Sequence, residues 1–288
     1  MHNEIFYTNK KIKKDIKLAV LSDIHYCYPD YKINIFSKLV KQIKKNQPDY
    51  ICIVGDILDE ANCTNIDDLV NFFKEISIIA PVIIVIGNRD QKIFNYQTKK
   101  WEFFQNKNLF QAFNKLNNVF FLDDNTYEDE NNNISFYGIN LPYEHYEIKK
   151  ESYESFTTAI NKLKCNLKKT SYNITLLHSP INIYNFIKKN PTHNLNKTDL
   201  ILNGHMHNGC LPFIFTNPFN KIFKSSVSLI SPFRTLFPQF AQGKVYGHKD
   251  GYIYQGVIKF SKIAKHFSKF DFIYAKKVQF ITIKKSSS

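Results

Sequence analysis

The residues best suited to chemistry stand in short clusters, each directly after an apolar run. Gly204-His205-Met206-His207 follows Leu200-Ile201-Leu202-Asn203 and offers two imidazoles one residue apart. Neutral imidazole nitrogen is the commonest side-chain ligand for transition metals, so a metal centre is the first expectation. An HxH pair alone reads equally well as two surface histidines. Four further clusters change the balance: Asp23/His25, Gly55-Asp56 with Asp59, Gly87-Asn88-Arg89-Asp90, and His178 before Ser179-Pro180. Together they make a mixed nitrogen and oxygen donor set without thiolate, which suits divalent transition metals and does not choose among them.

The elements that must position these clusters follow from hydrophobic periodicity. Residues 16–22 read as a buried strand ending at Asp23. Over 33–45 the residues Ile33, Phe36, Leu39, Val40 and Ile43 recur at helical steps. A strand over 50–54 ends at Gly55-Asp56, a helix covers 66–77, and a strand over 82–86 ends at Gly87. This β-α-β-α-β order with continuously apolar strands predicts a parallel sheet covered by helices. Ligands of such sheets bind beyond the carboxyl ends of the strands, so three successive polar endings argue for one shared site.

Further along, 101–116 reads as a helix, 119–122 as a strand, 123–133 as a loop or hairpin and 134–138 as a strand. Residues 141–146 read as a surface loop and 153–167 as a helix. Strands at 174–177 and 200–202 end at His178 and at Gly204. Residues 252–258 and 278–283 alternate like antiparallel strands that finish a second sheet. With no repeat, linker or break in composition, one domain over 1–285 and a short disordered tail at 286–288 are expected.

At 43% hydrophobic over 288 residues, the chain can bury a substantial core. The 39 Lys+Arg against 25 Asp+Glu leave a net charge of +14, but the lysines are spread evenly and read mostly as solvated surface, which speaks against a nucleic-acid partner. Five cysteines without a CxxC pair argue against a disulfide framework or thiolate zinc site and for a reducing compartment. The apolar run at 18–21 is too short for a signal-peptide core, and 76–86, broken by Pro81, falls short of the roughly 18 residues of a membrane span. A cytoplasmic protein is expected. The aromatic-rich stretch 211–240, interleaved with Lys221, Lys224 and Arg234, reads either as core or as an apolar wall meeting an acyl chain or the periphery of an anionic membrane.

In order, the clusters DxH, GDxxD, GNRD, a lone His and GHxH resemble the calcineurin-like metallophosphoesterase superfamily over residues 16–283. The resemblance implies a four-layer α/β/β/α sandwich with two mixed sheets flanked by helices. It implies two divalent transition-metal ions, drawn from Mn²⁺, Fe, Zn²⁺, Co²⁺ or Ni²⁺. Asp23, His25 and His207 would hold one ion, Asn88, His178 and His205 the other, and Asp56 would bridge them, with Asp59 and Asp90 orienting the ligands. The implied reaction is attack of a metal-bridging hydroxide on a phosphate ester or pyrophosphate of a phosphorylated small molecule or lipid-linked substrate, with Asp56, Asn88 and Arg89 in the catalytic machinery.

Arg89 departs from the common GNH pattern, in which the histidine contacts the phosphate and protonates the leaving group. Its guanidinium stays charged, so it cannot donate a proton, but it can grip two phosphoryl oxygens. GNRD is similar to the motif of UDP-diacylglucosamine pyrophosphatases, whereas 204–209 with Ile230-Ser231-Pro232-Phe233 looks more like uncharacterised bacterial phosphoesterases. Tyr143, His145, His193 and His248 are alternative proton donors. A catalytically silent metal-binding scaffold is the rival from another class, and the complete set of ligand positions speaks against it.

Overall fold

Parallel pairing of the first apolar strands follows from their burial on both faces, which leaves each strand to return through a helix. The computed structural model describes residues 3–7, 10–26, 34–58, 66–95, 97–103, 107–146, 152–206, 243–245, 250–253 and 278–286. After an edge strand β1 (Asn3–Tyr7), strand β2 (Ile16–Leu21) leads through helix α1 (Asn34–Asn46) to β3 (Tyr50–Val54), and α2 (Asp67–Ser77) leads on to β4 (Val82–Val85). In α2 the side chains of Leu69, Phe72, Phe73 and Ile76 are buried at three- and four-residue steps, and Asp67 and Asp68 in its first turn complement the helix dipole.

A short helix α3 (Asn88–Gln91) is followed by the hairpin β5 (Lys92–Asn95) and β6 (Lys100–Phe103), then α4 (Lys107–Asn114) and β7 (Val119–Phe121). The helix expected over 101–116 is therefore only α4, because residues 101–103 pair as a strand. The Asn95 side chain decides this locally: its Oδ1 accepts from the N–H groups of Gln97 and Thr98 at 2.9 and 3.1 Å, closing a turn before Trp101. Among the described residues, the first sheet runs β1-β14-β2-β3-β4-β7, where β14 is Gln279–Lys284.

The second sheet contains β8 (Thr126–Asp129), β9 (Ile134–Ile139), β10 (Tyr172–Leu177), β11 (Leu200–Asn203), β12 (Gly243–Val245) and β13 (Asp250–Ile253), in the order β12-β13-β11-β10-β9-β8. Its four inner strands are parallel and its edges antiparallel. Helices α5 (Ser152–Asn161) and α6 (Ile183–Lys189) cover its outer face. Period-two alternation shows the sandwich directly. Phe136, Ile174, Leu176, Leu200 and Leu202 join the core cluster shared with the first sheet, while Tyr137, Ile139, Leu177 and Ile201 pack with Phe156 and Phe186 of α5 and α6. Two mixed sheets lie between helices, as the resemblance implied.

Two other expectations need correction. Residues 278–283 do not finish the second sheet: β14 lies in the first, antiparallel to β2 and parallel to β1. Alternation cannot say which sheet a strand joins, and here Phe280, Ile281 and Ile283 are all buried. Residues 250–253 do join the second sheet, antiparallel to β12 and parallel to β11, while 254–258 fall outside the described residues. The helix expected over 153–167 ends at Asn161. Among the described residues no helix is long and apolar enough to cross a membrane. The aromatic stretch 211–240 lies outside the described residues.

Candidate metal centre

Five parallel strands deliver side chains to one edge of the sandwich: β2 carries Asp23, β3 Asp56, β4 Asn88, β10 His178 and β11 His205 just beyond their carboxyl ends. Backbone bonds zip these endings together. Asp23 N–H donates to the Gly55 carbonyl and His25 N–H to the Asp56 carbonyl, both at 3.0 Å, and Gly204 N–H donates to the His178 carbonyl at 2.8 Å. Asp23, His25, Asp56 and His205 all adopt left-handed backbone, with φ of 53°, 46°, 51° and 71°. Aspartate and histidine tolerate that region better than most residues, yet it still costs about 1 kcal/mol or more each, and such strain collects at functional sites.

The side chains converge on Asp56. Its Oδ2 lies 3.3 Å from His178 Nε2 and 3.5 Å from His25 Nε2. Asp23 Oδ1 lies 3.8 Å from His25 Nε2 and 3.9 Å from His178 Nε2. The His178 and His205 rings are 5.0 Å apart. Two groups of donor atoms could each hold a cation, Asp23–His25–Asp56 and Asp56–His178–His205, and Asp56 belongs to both.

The donors fit divalent ions. His178 Nδ1 sits 2.7 Å from the Val54 carbonyl, which fixes the ring proton there and turns the Nε2 lone pair toward the carboxylates. That Nε2 and Asn88 Oδ1 are buried without a hydrogen-bond partner. Unpaired buried polar atoms beside two buried carboxylates are costly, and cations would satisfy all of them.

The surrounding residues hold this arrangement. Asp90 accepts from the N–H groups of Ile57 and Leu58 with Oδ1, at 2.8 and 2.9 Å, and from Gly87 N–H with Oδ2 at 2.8 Å. Asp56 Oδ1 accepts from Arg89 N–H at 2.8 Å, which roots the Arg89 side chain one residue from the centre. Asp23 accepts from His205 N–H at 3.0 Å, tying one sheet to the other. Asp59, His207 and His248 lie outside the described residues.

Gly204 is required by close approach. A Cβ there would strike the Ser22 side chain and come within 2.9 Å of Asp23 Oδ2. Ser22 Oγ donates to the Val54 carbonyl at 2.6 Å, the same oxygen that orients His178. Gly204→Ala is therefore expected to cost about 2–3 kcal/mol and to weaken metal binding, measured by urea denaturation and metal titration.

Two proton-donor candidates make contacts outside the two donor groups. His193 precedes β11, at the other edge of the sheet, where Nδ1 accepts from Leu195 N–H at 3.2 Å. His145 packs edge-on against Phe156 of α5, with ring centroids 6.1 Å apart. Residues 141–146 are also no surface loop: Tyr143–Tyr146 forms a 3-10 turn in which His145 and Tyr146 are buried. The Tyr146 ring lies 5.2 Å from that of His205 and 6.0 Å from that of His178. This turn follows β9, another strand ending at the same edge, and that position was the available signal.

Charge couples the cluster to pH. Burial opposes a charge on His178, but the carboxylates of Asp56 and Asp23 outweigh it and raise its pKa to about 9. Burial also opposes the charge on Asp56, yet the His178 and His25 rings hold it well below the usual carboxylate range. A raised histidine stabilises the metal-free fold fully below its unfolded value of 6.5, and that contribution is lost as pH climbs through about 9. A metal must displace the same proton, so its binding strengthens over the same window. The melting-temperature difference between Mn²⁺-treated and EDTA-treated protein is expected to widen from pH 6 to 8.5 in scanning fluorimetry. A constant difference would contradict the linkage.

Residues 16–209 match the family model of the calcineurin-like phosphoesterases, and the chain belongs to that family. It is 26% identical over 206 residues to an uncharacterised metallophosphoesterase of Campylobacter jejuni, in a match covering 71% of this chain and 47% of that protein. The chain thus spans about half the length of this curated relative. Among solved structures it is similar to a dimetal phosphatase from Danio rerio (12% identity, 84% of this chain, 88% of that one, TM-score 0.46). It is also similar to GAP50, the anchor in the inner membrane complex of Plasmodium (12% identity, 85% and 72%, TM-score 0.41). Metallophosphoesterases of this family use two divalent metal ions, and the two overlapping donor groups suit that number.

Proposed function

We propose that this protein hydrolyses a phosphate ester or pyrophosphate with two divalent metal ions at the Asp56 centre. The observation that carries the proposal is one buried carboxylate shared by two ligand groups. Asp23, His25 and His207 would hold one ion, Asn88, His178 and His205 the other, and Asp56 would belong to both sets. When bound, the ions supply Lewis-acid activation of water and neutralise phosphoryl charge.

The chain's own residues do the rest. The Val54 carbonyl holds the His178 ring with Nε2 toward Asp56 and Asp23, and Asp90 clamps the segments that present Asp56 and Asn88. Asp59, three residues after Asp56 in the sequence, would orient ligands. Arg89 holds phosphoryl oxygens by charge-assisted hydrogen bonds and cannot deliver a proton, so substrates with low-pKa leaving groups are favoured. Pyrophosphates and aryl esters fit that requirement. A lipid-linked pyrophosphate at the membrane periphery is the member of this class that GNRD and the aromatic stretch 211–240 favour. Manganese is the first metal to test. A reducing cytoplasmic setting agrees with the free thiols of Cys52 and Cys165.

Metal-loaded protein assayed on nitrophenyl phosphate, nucleoside diphosphate lipid and alkyl monoesters tests the proposal. Arg89→Gln is expected to lower turnover roughly a hundredfold on the good substrates. Arg89→His, by restoring a titratable ring, is expected to favour alkyl monoesters relative to the others. Equal effects on all substrates would overturn the role given to Arg89. Metal uptake without turnover on any substrate would identify a binding scaffold instead.

A further inference from the structure

Tyr146 carries the one tyrosine hydroxyl among the described residues that is buried without a hydrogen-bond partner. The residue is 9% exposed, and its ring packs against the two imidazoles of the Asp56–His178–His205 group. Two hydrogen bonds hold its turn in place. Gln91 Nε2 of α3 donates to the Leu141 carbonyl at 2.8 Å, and His145 N–H donates to the Pro142 carbonyl at 3.1 Å, so the turn is clasped to the helix that begins at Asn88. The phenol is a hydrogen-bond donor beside the acidic centre, and no carboxylate takes its hydrogen.

Such a hydroxyl is costly. Leaving a buried donor unsatisfied sacrifices its hydration, whereas phenylalanine would pack on the imidazoles equally well. This chain uses 26 phenylalanines, so aromatic packing alone does not call for a phenol. Resting on the phosphoesterase reading, we propose that the Tyr146 hydroxyl donates a hydrogen bond to a phosphoryl oxygen of the substrate, a catalytic contact additional to the ions and Arg89. A fixed neutral donor in a dry pocket stabilises charge that builds on phosphoryl oxygen without reorganising.

Tyr146→Phe separates this role from a structural one. The variant is expected to raise the melting temperature of EDTA-treated protein by about 2–4 °C, because the unsatisfied hydroxyl is gone. In Mn²⁺-loaded protein it is expected to weaken inorganic phosphate binding about tenfold by calorimetry, with metal stoichiometry unchanged. A lower melting temperature, or unchanged phosphate affinity, would overturn the proposal. So would a loss of metal with phosphate affinity intact, which would assign the hydroxyl to the ions. If wild-type protein holds two ions and binds no phosphate, the phosphoesterase reading itself falls, an outcome distinct from failure of the variant alone.

Discussion

Asp56→Asn is expected to lower turnover roughly a thousandfold and to leave fewer than two metal ions bound per chain after dialysis. Asparagine keeps the size of the side chain and an oxygen for Arg89 N–H, which Asp56 Oδ1 now accepts at 2.8 Å. What it removes is the charge on the oxygen that lies 3.3 Å from His178 Nε2 and 3.5 Å from His25 Nε2. Asp56 belongs to both donor groups, so losing its charge would weaken binding of both ions, whose mutual repulsion would no longer be offset. Elemental analysis of dialysed protein alongside nitrophenyl phosphate hydrolysis checks both parts. Turnover above a tenth of wild type, with two ions retained, would contradict the shared role of Asp56.

Asp90→Ala is expected to destabilise even the metal-free protein, by about 2–4 kcal/mol. The carboxylate takes three backbone hydrogens, from Ile57, Leu58 and Gly87, and these come from the loops that carry Asp56 and Asn88. Alanine would strand those donors in a region where Ile57 and Leu58 are buried at 1% and 0% exposure. Relief of repulsion between two buried acids offsets part of the loss, which keeps the figure below the sum of three bonds. Asp90→Asn should lose less, because its oxygen still accepts. Urea denaturation in EDTA measures the difference without any contribution from metal, and an Asp90→Ala protein as stable as wild type would remove the clamp.

Much of the centre could be read from local pattern. The apolar runs before Asp23, Asp56, Asn88, His178 and His205 do become parallel strands, and all five endings meet at one edge. Continuous apolarity signals a strand buried on both faces, and a parallel sheet places its binding edge at the carboxyl ends. Arg89 was likewise visible as a departure from a motif, since its type alone bars proton donation. Element ends were less legible. Trp101 looked helical until the Asn95 turn paired it with Phe94 on a strand, a choice made by one side-chain oxygen.

The sequence by itself determined the donor types, their order along the chain and the strands that carry them, because those depend on local periodicity and side-chain chemistry. Only the tertiary structure decided that Asp56 stands within reach of both histidine groups, that Asp90 clamps backbone, that His193 caps the turn before β11 and that β14 returns to the first sheet. It also brought Tyr146 out of an apparent surface loop and laid it against His178 and His205. These outcomes depend on how two twisted sheets stack and which strand ends face one another across the gap, a relation between distant residues that no local spacing encodes.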